Sequence, residues 1–176
     1  LGQILLVAFV LSLQMVFLFM FRKDIFADDR QLSLLLIVIT TMLLALTRSI
    51  KLNLPNVYYI PFCIVPIIIR ILFDTRLALN LHLLVILIAG FFVPNSFEFV
   101  FYQTTAGMIA IYSIKNLVKR EQLLISASFI LAAYLVSFIG ISLLREGDFT
   151  QIQWANFLPF VFSVLLSLLA YPLIYA

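Results

Sequence analysis

The sequence predicts an all-α fold, a polytopic integral membrane bundle of about seven transmembrane helices forming a single domain over 1–176. Three observations carry this. Hydrophobic residues make up 65% of the chain and charged residues 11%, with a mean hydropathy of +1.20, whereas soluble domains run near half apolar and a quarter charged. Seven apolar segments stand between charged or Pro/Asn-rich breaks, and about 20 apolar residues suffice to cross the hydrocarbon of a bilayer. The alternating apolar/polar pattern of a membrane barrel does not occur, and unpaired backbone is too costly in lipid, so helices are the remaining solution.

The first segment, about Leu1–Phe21, lacks the basic start and small-residue cleavage site of a signal sequence and ends in Arg22-Lys23, so it reads as a span. The loop behind it mixes Asp24, Asp28 and Asp29 with Arg22, Lys23 and Arg30. Its charges cancel, and the spacing matches no calcium loop. The second segment is about Leu32–Thr47. The third, about Val57–Phe73, contains Pro61 and closes near Arg70, which either snorkels to the interface or pairs with Asp74 at i+4. The pairing would fix how this helix ends; the functional alternative makes Arg70 to Arg76 a contact for anionic lipid or a signal relay.

The fourth segment, about Leu77–Val93, carries His82, the single histidine. An ionisable group inside a span is a functional candidate, here with Asp74 and Arg76 nearby; the structural alternative is a neutral ring hydrogen-bonded to the next helix. The fifth segment, about Phe97–Ile114, follows the tight turn Pro94-Asn95-Ser96. Both are short enough to be two thin spans or a re-entrant hairpin. Glu98 at its start suits a helix N-terminus, where the macrodipole favours negative charge; one carboxylate alone makes a poor ion site. The sixth, about Leu123–Leu144, repeats small residues four apart (Ser128 and Ala132, Ala133 and Ser137), which permits close helix approach and a homodimer contact. The seventh, about Trp154–Ala176, contains Pro172, which lacks an amide donor and can localise a bend.

Basic residues set the orientation. Arg22, Lys23, Arg30, Arg70, Arg76, Lys115, Lys119 and Arg120 fall on one side, and Arg48, Lys51 and Arg145 on the other. The positive-inside rule places the eight in the cytoplasm, so the domain begins outside and ends inside. The loop with Lys115, Lys119 and Arg120 is either a topology determinant, an anionic-lipid contact or a dock for an acidic cytoplasmic face. In a chain this apolar the net charge of +3 belongs to membrane orientation, and nucleic acid is not an expected partner.

A hydrolytic centre needs a nucleophile with its base, paired carboxylates or a metal cluster. With one histidine and one cysteine the chain assembles no His/Cys metal site, and no catalytic, cofactor or metal residue is assigned. Cys63 can form no intrachain disulfide, and its role is packing. A start at Leu1 rather than Met and the apolar end Tyr171-Pro172-Leu173-Ile174-Tyr175-Ala176 read as a domain cut from a longer polypeptide.

Several runs are more specific than the composition: Val57-Tyr58-Tyr59-Ile60-Pro61-Phe62, Val65-Pro66-Ile67-Ile68-Ile69-Arg70, Phe73-Asp74-Thr75-Arg76-Leu77-Ala78 and Val93-Pro94-Asn95-Ser96-Phe97-Glu98-Phe99. With Ala106-Gly107-Met108-Ile109-Ala110, Glu146-Gly147-Asp148 and Ala170-Tyr171-Pro172-Leu173-Ile174 they make the chain similar to the seven-transmembrane receptors with an intracellular HD hydrolase domain. The version in Bacteroidetes-like bacteria is the nearest in pattern. The resemblance implies the membrane part of a cyclic di-AMP phosphodiesterase in the bacterial cytoplasmic membrane, with an extracellular domain before it and a metal-dependent cytoplasmic HD domain after it. The metal and the catalytic histidines and aspartates of that family belong to the HD domain and have no counterparts here. Pro61, Arg70, Asp74, Arg76 and Glu98 are the motif positions expected to shape the domain. Two other classes fit the length and hydropathy: a transport component such as the substrate-binding membrane subunit of a vitamin importer, and a scaffold of the cell-shape machinery.

Overall fold

A computed structural model describes the backbone of residues 2–52, 56–114 and 120–175, and the side chains of all of these but 3, 4, 120–123 and 169–175. The described residues contain no strand. They form α1 (Gly2–Phe21), α2 (Lys23–Ala27), α3 (Asp29–Lys51), α4 (Ile64–Leu72), α5 (Thr75–Gly90), α6 (Ser96–Ser113), α7 (Arg120–Glu146) and α8 (Leu158–Tyr175). Each of the seven apolar segments thus holds one long helix, except the third.

Local chemistry explains where the helices start and stop. The Asp28 carboxylate accepts from the Arg30 amide at 3.0 Å and opens α3, and Asp74 accepts from the Leu77 amide at 3.2 Å and opens α5; such caps satisfy donors with no partner in the first turn. At the end of α7, Gly147 takes φ +72°, a left-handed conformation that suits glycine, and its amide returns to the Leu143 carbonyl at 3.0 Å.

The third segment differs from the single span expected over about Val57–Phe73. Only Ile64–Leu72 is α-helical; Val57–Tyr59 is a 3-10 turn capped by Asn56, and the chain bends through Pro61 before α4 begins. Pro61 has no amide to donate, while Pro66 sits in the first turn of α4, where no intrahelical donor is needed. Nine helical residues rise only about 14 Å.

Among the described residues, 29–51 and 124–146 are long and apolar enough to cross a membrane by length and composition; the other apolar helices are shorter. Large apolar side chains face outward along α1 (Leu5, Phe9, Leu13) and α7 (Phe129, Val136, Leu144), a surface far more apolar than a soluble monomer presents. α5 is the central helix. It packs against α1, α3, α4 and α6, and its residues Leu77, Ala78, Leu81, His82, Val85 and Ala89 are buried. One apolar cluster gathers α1, α3, α4 and α5, and a second gathers α6, α7 and α8 around Tyr134, Phe138 and Phe160. The buried polar residues His82 and Gln103 connect α5 of the first cluster to Tyr134 of the second.

Candidate functional site

The centre is Gln103 on α6, fully buried. Its side-chain oxygen accepts a hydrogen bond from the Tyr134 hydroxyl of α7 at 2.7 Å. Its backbone carbonyl lies 2.9 Å from Nε2 of His82 on α5. A carbonyl can only accept, so Nε2 carries the ring proton. The Tyr134 oxygen is also 3.4 Å from Sγ of Cys63, at the head of α4. Because the phenol's one proton goes to Gln103, the thiol is the donor there. From α8, Ser163 donates to the Ile60 carbonyl at 3.3 Å. Polar contacts thereby join α5, α6 and α7 to the segment ahead of α4, and tie α8 to that same segment, inside an apolar interior.

The network is incomplete. Nε2 of Gln103 and Nδ1 of His82 are buried without a partner, and such groups are rare in folded interiors because each forfeits its hydration. Gln14 on α1 is buried with neither amide atom bonded, and Nε of Arg70 is likewise unpartnered. His82 is seated by an absence of side chain opposite it: a Cβ at Gly107 would stand 1.7 Å from Nε2. Gly107 is therefore required by the imidazole.

Ion pairs lie at both ends of the bundle. Arg22, between α1 and α2, reaches Asp74 at 2.8 Å and Asp24 at 3.1 Å. The hydrogen bond to Asp24, assisted by the charge of Asp74, raises the Arg22 guanidinium above its ordinary value, and Arg22 in turn lowers the Asp24 carboxyl. At the other end Arg145 of α7 meets Glu98 of α6 at 3.2 Å. Beyond α7, Asp148 accepts from the amide and hydroxyl of Thr150 at 3.2 and 2.8 Å, which holds its carboxyl below the usual range.

The residues singled out in the sequence are distributed over these features. His82 bonds the Gln103 carbonyl on the neighbouring helix, the contact that the structural alternative invokes. Glu98 sits in the first turn of α6 as expected for the helix dipole, and the ion pair with Arg145 adds to that role. Asp74 does not pair with Arg70: it caps α5 and bonds Arg22, which approaches from α1, so the i+4 pair is replaced by a longer-range one. The extended cap conformation of Asp74 takes it off the helix on which i+4 spacing would align it with Arg70. Arg70 is in the last turn of α4, and Arg76 is exposed on α5. Pro61 precedes α4, and the α8 backbone is helical across Pro172. Lys115 and Lys119 lie outside the described residues, as does the Arg120 side chain at the start of α7. Among the described residues no group of three His, Cys, Asp or Glu side chains could hold a metal.

Gln103, Tyr134 and Gly107 carry the site, although the sequence alone assigns them no role in it. Gln103 is the available signal, a carboxamide in a largely apolar segment, and such a group in a membrane interior needs a partner on another helix.

Asp74 gives the first test. Asp74→Ala removes a cap and a partly exposed ion pair and should cost about 1–2 kcal/mol. Asp74→Asn keeps an oxygen for the Leu77 amide and should recover most of that in thermal unfolding of the detergent-solubilised protein. An asparagine variant as unstable as the alanine one would assign the effect to Arg22 instead of the cap.

Residues 1–176 match the family described as 7TM receptor with intracellular HD hydrolase. No curated protein and no solved structure matches the chain.

Proposed function

The chain belongs to the family of 7TM receptors with intracellular HD hydrolase, and from that premise we propose that it anchors, and transmits a signal to, an HD-type cyclic di-AMP phosphodiesterase. The family makes it a membrane receptor region linked to an intracellular HD hydrolase. In the finer reading all seven apolar segments cross a bacterial cytoplasmic membrane, the start of the domain faces outside, and α8 leads into the cytoplasmic enzyme. An extracellular domain precedes it, and the catalytic metal sits in the HD part.

The observation that carries this reading is the family match along all of 1–176. The eight-to-three distribution of basic residues supports the orientation independently. The ion pairs agree with the grouping of the loops into two sides, Arg22 with Asp74 on one and Glu98 with Arg145 on the other; which side is cytoplasmic rests on the basic residues alone. A signal must be carried by an element with two arrangements whose balance a ligand shifts. The network around Gln103 suits such an element, because its unmet donor and acceptor leave a second pairing available when α5, α6 and α7 slide or turn. Pro172 sets where α8 can bend ahead of the enzyme.

The test uses the full-length protein in its membrane. Reporter fusions after Asp28 and Asn116 should be active only in the cytoplasm, and fusions after Asn95 and Phe149 only outside. The same membranes should hydrolyse cyclic di-AMP in a chelator-sensitive manner. Inverted reporters would remove the orientation, and hydrolysis of a different substrate would remove the cyclic di-AMP assignment.

A further inference from the structure

A cavity of about 360 Å³ opens at the outer end between the start of α6, the end of α7 and the segment that leads to α8. Its volume lies within the range of small-molecule sites, about 300–1,000 Å³. An aromatic triad lines it: the rings of Tyr58, Tyr102 and Phe160 have centroids 4.7 to 5.5 Å apart. Above them Glu98 and Arg145 both face the cavity. They differ in depth, since the Glu98 side chain is 21% exposed and that of Arg145 is 59% exposed. Asn95 lines the same space and caps α6 without a side-chain hydrogen bond, which leaves its amide for another partner.

An ion pair that only tied α6 to α7 would need no such space around it. A sunken carboxylate beside an aromatic lining that includes two phenols is an arrangement that attracts an ammonium group. A guanidinium at the rim is suited to bidentate binding of a carboxylate. We propose that this outer cavity binds a small extracellular zwitterion of the amino-acid or dipeptide class, its ammonium held by Glu98 above the aromatic triad and its carboxylate by Arg145. Each end of the ligand replaces one half of the resident ion pair. Such a ligand would bridge the start of α6 to the end of α7, the two helices that carry Gln103 and Tyr134.

That the site faces outside rests on the orientation proposed above; the binding chemistry does not. Full-length protein in nanodiscs is heated with millimolar amounts of each common L-amino acid and of L-alanyl-L-alanine. At least one should raise the melting temperature saturably by several degrees, as a ligand selective for the folded state does. Its N-acetylated and amidated counterparts, each lacking one charge, should bind at least about tenfold more weakly, as should the zwitterion to Glu98→Gln and to Arg145→Gln. No shift with any zwitterion on the intact protein, or equal binding of the single-charge counterparts, would overturn the site. Reporter fusions after Phe149 that read cytoplasmic would overturn its extracellular placement while leaving a positive binding result in force.

Discussion

Gly107→Ala is expected to destabilise the protein by about 3 kcal/mol, against the usual direction of such a change. In an ordinary helix interior, alanine is favoured over glycine by about 1 kcal/mol. Here the added methyl would occupy the position of the His82 ring, 1.7 Å from Nε2 and 2.2 Å from Cδ2. The imidazole is buried on the central helix α5 and cannot leave without giving up its hydrogen bond to the Gln103 carbonyl. Overpacking costs about 1–3 kcal/mol, and a buried ring nitrogen stripped of its partner adds about 1–3 kcal/mol. Thermal unfolding in detergent measures the sum. Adding His82→Ala to the Gly107→Ala variant vacates the volume that the methyl needs, so the double variant should be more stable than Gly107→Ala alone. Equal stability of Gly107→Ala and the parent would mean that His82 does not occupy this niche.

The sequence and the structure agree where the physics is local. Segment boundaries follow from charge and proline, and both Asp28 and Asp74 cap helices that begin near the predicted edges. The break before α4 is less legible, because no charged residue interrupts the run from Val57 to Ile69 and only Pro61 and the Asn56 cap mark the break. The facing of one helix toward another is not written in the sequence. Helices such as α1 and α8 are apolar on nearly every side, so their sequences carry little information about rotation around their own axes. Arg22 meeting Asp74 and Glu98 meeting Arg145 depend on that rotation and on contacts between residues far apart in the chain. The same holds for Tyr134 and Gln103, separated by 31 positions.

Tyr134→Phe is expected to cost about 1–2 kcal/mol, and the asymmetry with Gln103→Leu is the informative part. Removing the hydroxyl leaves the buried Gln103 amide with neither atom satisfied, since its nitrogen already lacks a partner; an orphaned buried group costs about 1–3 kcal/mol. Gln103→Leu instead removes the unmet donor along with the acceptor. It also spares the His82 contact, which is made to the backbone carbonyl of residue 103, and the freed Tyr134 proton can turn to Sγ of Cys63, 3.4 Å away. Gln103→Leu should therefore cost less than Tyr134→Phe. When Gln103→Leu is already present, the tyrosine change should lose most of its effect, a coupling of about 1 kcal/mol, within the span found for polar pairs between membrane helices. Unfolding of the four proteins in a common detergent provides the cycle. Additive costs would make Tyr134 and Gln103 independent packing residues, and the network would then have no second pairing through which α6 and α7 could exchange a signal.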